Sequence, residues 1–553
     1  MKVELYLKEA LEKAIEASGF ETQTDYQVEV ANSRQKEFGD LASNIALQLA
    51  KPLKRSPRDI AQTLVSHLDL DPAQVEKVNL AGPGFINFVL SKKHLFQALQ
   101  IILDKQADYG KSNLAKQQST QVEFVSANPT GPLTIGHGRQ AVLGDTIARL
   151  LQAIGHKVTR EYYFNDAGRQ MRVLGDSVRY RYLEILGENV EFPEDHYQGE
   201  YIRDIAQVAV DEKGDSLKHE TGGDYFKNLA EKTIFEDIKA TLARMNIVFD
   251  VFYNEKSLYE TGKIEAVIQA LRDKGLAYDQ DGAVWFKATE CGLDQDRVIV
   301  KSTGEPTYRL PDIAYHRDKL ARNFDLIIDI FGADHIATYP DVLAGLTALD
   351  CDASKVNVLI HQFVTLTEGQ EKIKMSTRKA NFVTLDELMD EVGADVTRYF
   401  FLNRSMSSHL NFDLTLAKNQ SDENPVYYVQ YAHARICSIL RYATEEGYDP
   451  EADADLTLLT QDEEIDLIKA LINFPQIVSG AAENFEPHRL PTYLEELANI
   501  YHRFQHAGKR DSALRVVTED QPLTQARLAL CRATQIVLAN GLALLGISRP
   551  EKM

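Results

Sequence analysis

Apolar positions between residues 122 and 155 change their period once. Val122, Phe124 and Val125 form a β-forming run, and Asn128, Pro129, Thr130, Gly131 and Pro132 interrupt it. Val142, Leu143, Ile147, Leu150, Leu151 and Ile154 then fall on one helical face, which Gly155 closes as a glycine just past a helix end does. The pattern predicts strand, loop, helix. HKVTREYYF reads as a second strand that ends in a loop at Asn165, Asp166 and Gly168. Residues 171–287 carry long helical patterns rich in charge and tyrosine, and are expected to be a helical insertion between two halves of one sheet. The second half is expected from AVWFKAT, RVIVKST, DLIIDIFG and KVNVLIHQF, short β-branched runs that end in glycine or polar loops, as parallel strands of a doubly wound sheet do. An α/β unit over residues 118–420 is therefore expected.

Two further units flank it. Residues 1–110 read as α+β: an amphipathic helix, a strand-like stretch at 26–31, and a helix carrying Ile45, Leu47 and Leu49 with Asp40 or Ser43 as its cap. NLAGPGFINFVL then gives a turn and an alternating strand. Residues 421–553 turn wholly helical, opened by Asp422, Glu423 and Asn424 before Pro425, as caps precede a first-turn proline. A length of 553 residues agrees with about three to four domains.

Composition narrows the class. A net charge of −21 argues against nucleic-acid binding over the whole surface, while Lys51, Lys54, Arg55 and Arg58 supply a local basic patch. No apolar run is long enough to span a bilayer, and the N-terminal helix, with acids among its lysines, does not read as a signal or transit peptide. Cys291, Cys351, Cys437 and Cys531 lie far apart without the spacing of a zinc or redox pair. A cytoplasmic, monomeric protein with no membrane or DNA partner and no protein-held metal is expected; Asp334 and His335 lack a third ligand at metal spacing.

The chemistry gathers at the start of the predicted helix. First-turn amides at 136–139 have no partner within the helix and carry the positive end of its dipole, so a nucleotide triphosphate fits there. Gly136 and Gly138 are expected to leave room for a base or ribose, and His137 to steady phosphate charge. Together these residues resemble the His-x-Gly-His signature of class I aminoacyl-tRNA synthetases, with Thr134 in place of the first histidine. The flanks Glu123, Ala127, Asn128, Pro129, Thr130 and Gly131 resemble the arginyl-tRNA synthetase version. Lys374, Met375, Ser376, Thr377 and Arg378 resemble the Lys-Met-Ser-Lys-Ser loop, with threonine in place of the second lysine. EFGDLASNIALQLAK and AGPGFINF are similar to the family's N-terminal additional domain, and NPVYYVQYAHARICSILRY to its anticodon-binding bundle.

The resemblance implies a Rossmann-like catalytic domain and an arginine–tRNA ligase that uses ATP, with Mg²⁺, to activate L-arginine for tRNA(Arg), generally only once tRNA is bound. It implies catalytic roles for His137, Thr134, Lys374 and Arg378. For ATP it implies Asn128, Gly136, His137, Gly138, Gly332, Asp334, His335, Lys374, Met375 and Ser376. For arginine it implies Glu123, Asn128, Tyr308 and Asp312, and a guanidinium independently needs a carboxylate and favours an aromatic neighbour. For tRNA it implies Phe85 and Asn87 at the elbow, and Gln430, Tyr431, Arg435 and Met553 at the anticodon. Two rivals stand beside this reading. A small-molecule nucleotidylyltransferase explains the signature and sheet but not the flanking units, and a catalytically impaired RNA-binding relative explains Thr134 and Thr377.

Overall fold

The computed structural model describes residues 2–20, 26–33, 36–166, 168–219, 224–369, 371–372 and 383–553. Its central element is a five-stranded parallel sheet in the order Val356–His361, Leu326–Gly332, Ser119–Glu123, Lys157–Phe164, Val251–Asn254. The chain lays down three strands in one direction, then returns to the other side of Ser119–Glu123. That reversal opens a crevice at the carboxyl ends of Ser119–Glu123 and Leu326–Gly332, where doubly wound sheets hold their ligands. The helix Ile135–Ala153 covers the sheet so closely that a Cβ at Gly144 would lie 2.2 Å from Phe124.

Two strand assignments are corrected. Ala283–Phe286 and Arg297–Val300 do not belong to the parallel sheet; with Ala277–Gln280 they form a separate antiparallel sheet of three strands. Its hairpin turns at Asp281 and Gly282, both at positive φ (52° and 76°), the geometry an Asp-Gly pair favours in a two-residue hairpin. Conversely, Val251–Asn254 lies inside the stretch read as a helical insertion yet supplies the fifth parallel strand. The helices Arg169–Ile185, Glu200–Lys213 and Tyr225–Arg244 do precede it.

In the N-terminal region the strand expected at 26–31 shrinks to Ala31–Asn32, at the edge of a four-stranded sheet. The helix Ile45–Leu53 starts after Asn44; the Ser43 hydroxyl accepts from Ile45 N–H at 3.4 Å, while Asp40 does not cap it. Asp40 instead accepts the Leu90 N–H at 2.8 Å and pairs with Lys469 at 2.6 Å, tying this region to the C-terminal bundle. The bundle opens as expected, with the Asn424 side chain accepting from Val426 N–H (3.2 Å) before the helix Pro425–Glu445. Arg398, fully buried, joins three parts of the molecule. It donates to the Leu545 carbonyl (2.8 Å), the Met245 carbonyl (2.7 Å) and the Asp145 carboxylate on the helix Ile135–Ala153 (2.6 Å).

Candidate active site

The opening strand ends under strain. Val125 and Ser126 follow Glu123 at φ 68° and 42°, a region that a β-branched residue occupies only when its surroundings impose it. Here Ser126 is held at both sides, donating to Glu123 Oε1 at 2.9 Å and accepting from Tyr163 N–H at 3.0 Å. Downstream, the Thr130 carbonyl accepts from the Tyr201 hydroxyl at 2.6 Å, fixing the loop before the helix. Thr134 is the helix cap, and its N–H donates to His137 Nδ1 at 3.2 Å. A ring nitrogen that accepts carries no proton, so in neutral His137 the proton sits on Nε2, free to donate. Burial pushes His137 down to about 4, with Asp334 opposing, so the ring is neutral at physiological pH.

His361, at the end of the neighbouring strand and paired with Gly332, is likewise pushed down to about 4 by burial and also feels Asp334. Gly332, Asp334, His137 and His361 thus share one side of the crevice. His335 turns outward, exposed, with its ring against Phe331 (5.2 Å). Asn128 is exposed and donates to Gln170 at 2.9 Å. Gly136 is exposed at the helix start, but the role given to Gly138 is corrected. A Cβ there would come within 2.6 Å of Leu385 and 3.0 Å of Phe401, so its space is taken by the protein's own packing.

On the other side stand carboxylates. Asp312, on the helix Arg309–Ala321, is pushed up to about 7 by burial, with Glu255 and Glu123 adding to the rise and His316 and Lys319 opposing it. Glu255 is also raised by burial and accepts the Tyr163 hydroxyl at 2.8 Å. Among the described residues no cation pairs with Asp312 or Glu255, although Glu123 has Lys319. Tyr308 is not gathered into this pocket: it precedes the helix and is 76% exposed, within electrostatic reach of Tyr197. Glu255 went unnoticed in the sequence because its strand was read as insertion; its place just after Val251–Asn254, at a strand's carboxyl end, was the available signal.

Lys374, Met375, Ser376, Thr377 and Arg378 lie outside the described residues. The chain on either side is anchored. Glu371–Lys372 pair with Val364–Glu368, while Thr384 bridges Thr134 and Leu385 N–H donates to the Leu133 carbonyl at 2.8 Å.

Comparisons with known proteins identify the family. The family model described as tRNA synthetases class I (R), catalytic domain, matches residues 98–408. The arginyl tRNA synthetase N terminal domain matches 4–90, and the DALR anticodon binding domain 429–553. The chain belongs to the arginyl-tRNA synthetases. An arginine–tRNA ligase of Desulfotalea psychrophila is 55% identical over 517 residues, 93% of each chain. One of Salinibacter ruber is 49% identical over 566 aligned positions, covering 99% of this chain and all of its own. The solved structure of Thermus thermophilus arginyl-tRNA synthetase shares the fold, with a TM-score of 0.77 at 24% identity and full coverage of both chains.

Within an arginyl-tRNA synthetase, the expected tRNA contacts divide. Phe85 is exposed, but Asn87 is 2% exposed and donates to the Phe85 carbonyl at 3.3 Å, so its expected edge-reading role is corrected. It sits on a strand paired on both sides, opposite Ala42 and Asn79. Gln430 is corrected too, since its amide donates to Asp395 (2.9 Å) and the Ser548 carbonyl (3.0 Å), securing the chain end against the helix. Tyr431 stacks between Tyr427 (6.2 Å, 5°) and His502 (5.9 Å, 23°), while Arg435 and Met553 are exposed.

Proposed function

We propose that this chain joins L-arginine to tRNA(Arg) in two steps within the crevice. The arginine carboxylate attacks the α-phosphorus of ATP in line, giving arginyl-adenylate and pyrophosphate. A hydroxyl of the terminal tRNA ribose then attacks the arginyl carbonyl and AMP leaves. No side-chain nucleophile takes part; the protein positions the reactants and stabilises charge. The observation that carries the reading is the pair Asp312 and Glu255, two carboxyl groups that no cation pairs with among the described residues, in a crevice that also holds a helix start suited to phosphate.

In this reading the guanidinium lies against Asp312 and Glu255, and the α-ammonium against Glu123. His137 donates from Nε2 to the phosphates without charge of its own, alongside the first-turn amides. Thr134 adds a cap rather than a charge. Cationic help for the leaving pyrophosphate falls to Lys374, Arg378 or Lys379, since Thr377 cannot supply it. Mg²⁺ is taken as part of the ATP substrate, as no group of three or more potential ligand side chains occurs among the described residues. Phe85, Tyr431, Arg435 and Met553 are the tRNA contacts of this reading. It includes action as a monomer in the cytoplasm; no helix of the described residues is long and apolar enough to cross a membrane.

Pyrophosphate exchange with each of the twenty amino acids, with and without tRNA, tests the reading. Exchange is expected with arginine alone, and only with tRNA present; exchange with another amino acid overturns it. The nucleotidylyltransferase alternative leaves the matched flanking domains without purpose. An impaired relative would bind tRNA(Arg) without charging it, which an aminoacylation assay run beside a tRNA-binding measurement detects.

A further inference from the structure

Beneath the crevice, three carboxylates stand in a row across adjacent strands. Asp329 is the register partner of Glu123, and Glu123 that of Glu161. Parallel strands lie about 4.8 Å apart, so like charges in register repel one another. The helix Arg309–Ala321 and the residue after it supply the counter-charges. Arg322 takes Glu161 through two hydrogen bonds, at 2.6 and 2.8 Å. Lys319, 0% exposed, bridges the other two, donating to Asp329 at 2.5 Å and to Glu123.

The same helix reaches the other end of the crevice. His316, one turn before Lys319, contacts the Asp312 carbonyl through Nδ1 (2.8 Å) and Asp329 through Nε2 (2.9 Å). The Asp312 backbone carbonyl, His316, Asp329, Lys319 and Glu123 are therefore connected in sequence, Asp312 entering through its backbone and not its carboxyl group. A buried ion pair adds little to stability over a well-packed apolar pair, so stability alone is a weak reason for a lysine here. Without Lys319, Glu123, 3% exposed, would face Asp329 across the strands with no counter-charge between them.

We propose that Lys319 is a positioning residue for the amino-acid substrate: it ties the Glu123 carboxylate to the helix that carries Asp312, so that the interval between the two carboxyl groups selects the length of arginine. This rests on the reading that Glu123 receives the α-ammonium and Asp312 the guanidinium. Homoarginine, one methylene longer, is rejected because Glu123, held by Lys319 and Ser126, cannot retreat to make room.

The test uses the full-length protein and tRNA-dependent pyrophosphate exchange. Lys319→Met is expected to raise the KM for arginine roughly 10- to 100-fold, as loss of a charged hydrogen bond does, with the KM for ATP changed less than about twofold. The preference for arginine over homoarginine should narrow. In Glu123→Gln the further change Lys319→Met should add almost nothing to the arginine KM, since both act at one point. Additive losses, an equal rise in the ATP KM or an unchanged preference overturns the proposal. If Lys319→Met fails to fold, Lys319→Met with Asp329→Asn, which removes one charge of each sign, reads the same quantities. Failure of both to fold assigns the chain of charges to stability alone and overturns the proposal. An unchanged arginine KM in Glu123→Gln sinks the ammonium assignment itself and the proposal with it.

Discussion

Asp312 sits near neutrality because burial and the neighbouring Glu255 and Glu123 disfavour its charge, and this has two consequences at the level of the single residue. Below about pH 7 the free carboxyl holds a proton and offers a guanidinium no charge. The KM for arginine should therefore rise as pH falls from 8 to 6, approaching tenfold per unit below 7, while the KM for ATP follows a different course. The second consequence is for folding. A carboxyl whose folded pKa exceeds its unfolded one favours the fold when protonated, and that stability is lost as pH rises from about 4 through 7. Asp312→Asn removes the penalty. Calorimetry should find the variant with a higher Tm than the parent at pH 8 and a smaller advantage at pH 5, although the variant no longer uses arginine.

Among the elements, the opening strand, loop and helix were legible because a change of period is a strong signal and residues 122–155 contain little else. Val251–Asn254 was not, since four residues between helices carry no alternation to speak of, and with it went Glu255. The Asp-Gly pair at 281–282 is a hairpin signal, but the β-branched runs beside it fit parallel strands equally well, and periodicity does not separate the two. Asn87 and Gln430 were named from resemblance at positions whose burial only tertiary packing determines. The contact of Gly138 with Leu385 was invisible for the same reason, and it gives an element-scale prediction. Gly138→Val pushes the helix Leu385–Val392 away from the helix Ile135–Ala153. Denaturation should find a loss of about 1–3 kcal/mol, and exchange assays a fall in kcat, because Thr384 bridges Thr134 beside it.

One continuous buried apolar core runs from the N-terminal region through the catalytic region to the bundle, and Arg398 adds a polar joint inside it. Its three partners belong to the signature helix, to Met245 just after the helix Tyr225–Arg244, and to the end of the bundle, so removing it leaves Asp145 buried without one of its cations. Arg398→Ala should cost about 3–5 kcal/mol. Separate unfolding of the bundle and the catalytic region, seen as two calorimetric transitions in place of one, would mark loss of the joint.

Asp312 and Glu255, two acids that no cation pairs with among the described residues, have a last consequence at this scale. An enclosure that lacks one positive charge is an incomplete interior, and the missing piece has the shape of a denaturant. Guanidinium ion at low millimolar concentration should slot into it and shift melting upward before higher concentrations unfold the chain. Asp312→Asn should erase the initial rise and leave the later collapse intact.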